Sequence, residues 1–218
     1  MKKIFRLSLI IFCSIPAISL YAQNKNKFTL NINYNYALPV GSFRSQAVSD
    51  GTPRGASGDF IYRISKNFSA GFGVGFQDFY QKYQRALYKT GTDETTSAVL
   101  SNSIQVVPVI LKGYCYPLGA KKSLVQPYIS AGTGLAISSF TQYWGEFSGS
   151  DNTACFALQG GAGTFIAFSK SNRGGLSNGF RGGLSIGADY NMIRYNKYDI
   201  NNFNNLSFKA GVYIPLQQ

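Results

Sequence analysis

"KFTLNINYNYALPV", Lys27 to Val40, alternates almost without interruption. Phe28, Leu30, Ile32, Tyr34, Tyr36, Leu38 and Val40 share one parity, and Thr29, Asn31, Asn33 and Asn35 share the other. Successive side chains of a β-strand point to opposite faces, so this segment reads as a strand with one greasy and one amide-rich face. A soluble barrel turns the greasy face inward, and a membrane barrel turns it outward to lipid. The choice between them decides the architecture.

Upstream of this strand, Lys2, Lys3 and Arg6 precede the apolar run Leu7 to Ile18, and "SLYA" leads into Gln23. A basic start, a short apolar core and a small residue before the cut make residues 1–22 a secretory signal peptide, with cleavage expected after Ala22. The core is too short to span ~30 Å of hydrocarbon as a helix. Cys13 does not fit a lipoprotein anchor, because Phe12 precedes it where a small residue is needed. Residues 23–218 are then a single exported domain, and no long apolar run follows the leader.

Downstream, the alternation returns seven times. Phe60, Tyr62 and Ile64 alternate with Asp59, Ile61 and Arg63. After the turn "SKN", Ala70, Phe72, Val74 and Phe76 alternate with Gly71, Gly73 and Gly75. Further strands are expected over 98–116, 124–140, 156–168, 180–195 and 206–216. The connections after strands one, three, five and seven (41–54, 85–97, "WGEFSGSDN" and "YNKYDINNFNN") are long and polar. "SKN" and "PLGAKKS" are short, whereas "SKSNRGGLSNG" after strand six is longer and rich in Gly, Ser and Asn. Long loops at one rim and turns at the other are the pattern of an eight-stranded antiparallel up-and-down transmembrane β-barrel.

The non-greasy parity carries Asp59, Arg63, Gln159, Asp189 and Lys209, and also Lys112 if Val107, Val109 and Leu111 face lipid. A soluble periplasmic calyx would display these charges outside and bind an apolar ligand within. Against it stand the rings of the apolar parity, including Phe28, Phe60, Phe72, Phe156 and Tyr190, which crowd an interior only just wide enough for side chains. The opposite parity is strewn with Gly71, Gly73, Gly75, Gly161, Gly163, Gly187 and Gly211, as a filled polar lumen would need. The greasy face is therefore expected to look outward. Inward charges must be paired or hydrogen-bonded, and Asp189 is expected to pair with Lys209 of the last strand.

The last strand, "KAGVYIPL", places Lys209, Gly211, Ile214 and Leu216 in a pattern that resembles the signal read by the outer-membrane barrel insertion machinery, although the chain ends in Gln217 and Gln218 rather than an aromatic residue. With "VVPVILKGYCYPLG", "VQPYISAGTG" and "FALQGGAGTFIAF", the mature chain resembles the outer-membrane β-barrel domain family of small eight-stranded OmpA/OmpX-type barrels. The resemblance implies a closed barrel in the outer membrane of a Gram-negative bacterium with both termini periplasmic. It implies no single activity.

The chain has no histidine, which removes His-based hydrolase sites and most zinc sites. Asp93–Glu94 is the only adjacent acidic pair, and it falls on an expected loop. "DGTPRGASGD" lacks the alternating oxygen ligands of a calcium loop, and "GGAG" at Gly160–Gly163 lacks the Lys-Ser/Thr and helix of a phosphate loop. No catalytic residue, metal or cofactor is expected. Removing Lys2, Lys3 and Arg6 from a net charge of +12 leaves +9. Lys25, Lys27, Lys66, Lys121, Lys122, Lys170 and Arg173 gather at the expected periplasmic rim with no acid among them, which suits anionic headgroups and needs no nucleic acid. The expected role is a non-enzymatic, structural or surface-interacting envelope protein whose partners are outer-membrane lipids, the insertion machinery and an outside partner met through the loops. The alternative is a narrow channel or a small-ligand or lipid-binding barrel, including the soluble calyx. Cys115 and Cys155 fall on non-neighbouring strands toward opposite rims, so no disulfide is expected between them.

Overall fold

The computed structural model describes residues 28–89, 95–118, 124–144, 147–168, 182–197 and 200–216. The expected signal peptide, Asp93–Glu94, Glu146, Asp199, Lys121, Lys122, Lys170 and Arg173 lie outside these residues. Among the described residues, eleven strands and a short helix follow in order: β1 (Phe28–Pro39), α1 (Ser42–Gln46), β2 (Thr52–Arg63), β3 (Phe68–Lys82), β4 (Ala86–Lys89), β5 (Thr95–Ala98), β6 (Leu100–Cys115), β7 (Val125–Trp144), β8 (Phe147–Ala167), β9 (Gly183–Lys197), β10 (Ile200–Asn202) and β11 (Asn205–Leu216).

Among the described residues, eight strands form one closed antiparallel wall in the order β1-β2-β3-β6-β7-β8-β9-β11, with β11 returning to β1 over twelve residue pairs from Phe28↔Leu216 to Pro39↔Asn205. Closure satisfies both edges of the first and last strands and leaves the barrel without a seam to aggregate. The rim holding Phe28 and Leu216 is called here the terminal rim, and the opposite one the loop rim.

The greasy parity faces outward. Ile32, Tyr34 and Tyr36 are exposed, Tyr34 at 59%, while Asn31, Asn33 and Asn35 are buried. The same holds around the wall, where Phe60, Phe72, Leu111, Leu135, Phe156 and Ile186 are all exposed, Leu111 at 68%. Near the terminal rim, Phe28 stacks on Phe60 and leans on Tyr62 at centroid distances of 5.2 and 5.0 Å, forming part of an outer aromatic girdle.

The structure departs from the sequence reading mainly at the loop rim. "WGEFSGSDN" is mostly strand, because β7 and β8 stay paired from Val125↔Ile166 to Trp144↔Phe147. Ser, Gly and Asn are weak strand formers by themselves, and it is the ladder extended from the barrel below that holds them extended. The expected loop over 85–97 instead holds β4 paired antiparallel with β5, which runs on to Ala98, "YNKYDINNFNN" contains β10 against β9, and β2 begins at Thr52 rather than near Asp59. The 41–54 loop contains α1, which turns Phe43 into the barrel mouth. The "SKN" turn matches its expectation: Ser65 Oγ accepts hydrogen bonds from the backbone N–H groups of Asn67 and Phe68 at 3.4 and 3.1 Å.

Cys115 lies opposite Ile129 of β7, and Cys155 lies opposite Ala136 of the same strand. The seven residue steps from Ile129 to Ala136 span about 23 Å, against the ~7 Å between Cα atoms that a disulfide tolerates. Mass spectrometry of alkylated, non-reduced protein should therefore show no Cys115–Cys155 peptide within one chain. Finding one would contradict this strand order.

Candidate functional site: the barrel lumen

The inward parity builds a lumen in three layers. At the loop rim, Phe43 of α1 lies edge-on to Phe79 with centroids 5.0 Å apart and packs against Phe203 at 5.1 Å, and Phe203 stacks on Tyr195 at 4.1 Å. Ile104, Val106, Ala136, Phe140 and Ile193 complete this apolar layer. At the terminal rim a second layer joins Ile61, Tyr114, Tyr116, Tyr128 and Phe165, with Tyr128 stacked on Phe165 at 4.7 Å. The polar lumen expected from the sequence holds only in the middle, and both ends are apolar. Rings enter because they lie against backbone that carries no side chain: the Tyr128 hydroxyl sits over Gly163 and Gly187, and the Tyr114 ring over Gly71.

The middle layer holds the charges. Lys112 Nζ and Asp59 Oδ1 are 2.5 Å apart, with side chains 5% and 1% exposed. Lys209 Nζ and Asp189 Oδ2 are also 2.5 Å apart, as the sequence parity led one to expect. Asp189 faces Ser207 on β11, two residues from Lys209, so that pair is a diagonal between adjacent strands. The first pair instead bridges β2 and β6 across the intervening β3. A Cβ at Gly73 would overlap Asp59 Oδ1 and stand 2.9 Å from Lys112 Nζ, so glycine there opens the passage between the two partners. Gly211 serves the same purpose, lying between Asn33 of β1 and Ser185 of β9, whose hydroxyl donates to Asn33 Oδ1 at 2.5 Å.

Amides extend the network across the lumen. Gln77 Nε2 donates to Ser207 Oγ at 2.5 Å, Gln159 Nε2 to Asn191 Oδ1 at 2.6 Å, and Asn191 Nδ2 to Asn205 Oδ1 at 2.8 Å. Asn31 Nδ2 donates to Asp59 Oδ2 at 3.4 Å. A cavity of about 20 Å³ lies among these groups, enough for the centre of a water molecule and little more. Gln77 Oε1, Gln159 Oε1 and Asp189 Oδ1, on residues that line it, have no hydrogen-bond partner among the described residues. The cavity can hold about one hydrogen-bonded molecule the size of water.

Arg63 differs from the other four lumen charges. It points inward near the terminal rim and meets no carboxylate among the described residues; Arg63 Nη2 donates to Gln126 Oε1 at 3.3 Å, and its guanidinium lies 5.0 Å from the centre of the Tyr116 ring. In the C-terminal segment, Lys209 and Gly211 face inward and Leu216 faces out at the end of β11. The inward rings and α1 escaped sequence reasoning, although Tyr114, Tyr128 and Phe165 do share the inward parity of their strands.

No protein-family profile matches the chain, and no curated protein sequence does. Solved structures that share its fold include the following two. Neisserial surface protein A (NspA) is 16% identical with a TM-score of 0.50, the match covering 87% of this chain and 97% of that one. The outer membrane protein OprG from Pseudomonas aeruginosa is 12% identical, also with a TM-score of 0.50, over 92% of this chain and 100% of that one. With eight strands closed antiparallel around a filled lumen, the chain has the fold of the small outer-membrane β-barrels.

Proposed function

We propose that the protein is an integral outer-membrane barrel of a Gram-negative envelope, exported by residues 1–22 and acting as a non-enzymatic structural or surface-interacting component. One observation carries this reading: a closed wall whose exterior is a belt of exposed Ile, Leu, Phe and Tyr around a lumen plugged by rings at both ends. A soluble monomer rarely exposes so continuous an apolar surface, whereas lipid solvates it. The lack of histidine supports a role without hydrolytic chemistry. In this reading the terminal rim is periplasmic, the insertion machinery reads Lys209, Gly211, Ile214 and Leu216, and an outside partner meets the loop rim. The narrow-channel alternative is disfavoured by the stacked rings and by the size of the central cavity.

The protein should require detergent for extraction and should migrate differently on gels before and after heating. In planar bilayers the pure protein should give no reproducible conductance steps. Selective, repeatable steps would replace the structural reading with a channel, and high-yield recovery from the soluble periplasmic fraction would overturn the membrane assignment. A C-terminal epitope tag should resist surface protease on intact cells; its removal would invert the orientation.

A further inference from the structure

Among the described residues, Arg63 is the lumen cation that meets no carboxylate. Asp59 with Lys112 and Asp189 with Lys209 cancel, while Arg63 is left with an amide oxygen and an aromatic ring. Directly opposite Arg63 in the β2–β3 ladder is Ser69, which is 4% exposed and whose Oγ has no hydrogen-bond partner. Both line a cavity of about 40 Å³ at the terminal mouth, walled by Tyr116, Phe165 and Tyr213. A guanidinium with an uncommitted donor edge and a buried, unused hydroxyl thus face the same space.

The connections at this rim, residues 64–67, 116–124 and 168–182, contain no Asp or Glu, and neither do residues 1–27. They carry Lys66, Lys121, Lys122, Lys170, Arg173 and Arg181, so their charge draws anions toward the mouth. We propose that this pocket binds the carboxylate of a small organic acid, its two oxygens on the Arg63 fork and the Ser69 hydroxyl. The planar fork matches a carboxylate edge to edge. The lining joins these donors to the rings of Tyr116, Phe165 and Tyr213, which suits a carboxylate carried on a short apolar body.

The probe is fluoroacetate, followed by its fluorine NMR signal against the full-length mature protein in zwitterionic micelles at constant ionic strength. The shift should saturate with the wild-type protein. Arg63→Gln should weaken binding at least tenfold, and Ser69→Ala about threefold. Should Arg63→Gln fail to fold, Arg63→Lys keeps the charge without the fork and should still weaken binding at least threefold. Acetate should compete, whereas inorganic phosphate at the same concentration should not. A shift that does not saturate, one that survives in the Arg63 variants, or equal competition by phosphate would each overturn the proposal.

Discussion

Asp59→Ala should lower the unfolding free energy of the barrel by about 3–5 kcal/mol, as read from urea unfolding in lipid vesicles. The cost arises mainly from what remains. Lys112 Nζ has Asp59 as its ion-pair partner and only 5% of its side chain is exposed, so removing the carboxylate leaves a buried ammonium with neither countercharge nor adequate water. The control is the double replacement Asp59→Leu with Lys112→Met, which removes both charges and should recover most of the loss, since apolar groups of similar volume substitute for a buried pair at little cost. If the single variant loses less than about 1 kcal/mol, water has reached Lys112 and the pair is not the strut described here. Asp189→Asn should lower the unfolding temperature for the same reason, and an unchanged value would mean that the Asp189–Lys209 contact carries no stability.

Phe43→Ala should raise amide hydrogen exchange at Ala47 and Val48 by more than ~100-fold, equivalent to the ~3–5 kcal/mol expected for emptying a buried phenylalanine site. Helix α1 has only five residues and no side-chain cap at its N-terminus, so it has little stability of its own. Its last turn is held by bonds from Ala47 and Val48 N–H to the Phe43 carbonyl at 3.1 and 3.2 Å, and the fully buried Phe43 ring anchors it between Phe79 and Phe203. Without that ring the helix should open locally while the wall beneath keeps its protection, for instance at Asn33 and Tyr34. Exchange at Ala47 and Val48 changed less than about threefold would show that the loop is fastened elsewhere. Loss of protection throughout the wall would show that the plug and the barrel form one cooperative unit.

The alternation at Lys27–Val40 determined a great deal, because a strand's side-chain period is local and a burial pattern can be read from it. It placed Asn31, Asn33 and Asn35 inside and Ile32, Tyr34 and Tyr36 outside, and the same parity turned Asp59, Lys112, Asp189 and Lys209 into the lumen. The Asp189–Lys209 pair was within reach of such reasoning, since consecutive barrel strands are neighbours. Asp59 meeting Lys112 was not. That contact skips β3 and depends on Gly73 falling between the two partners, which follows from the stagger of three strands relative to one another. The rings at both ends were hidden for a related reason. Tyr114 and Tyr128 carry the inward parity, but they fit a narrow interior only because register sets Gly71, Gly163 and Gly187 beneath them. Parity is a property of one strand and is written in its residues. Register, and with it the layering of the lumen into plug, charged belt and plug, is settled only when eight strands close on one another and each must match two neighbours at once.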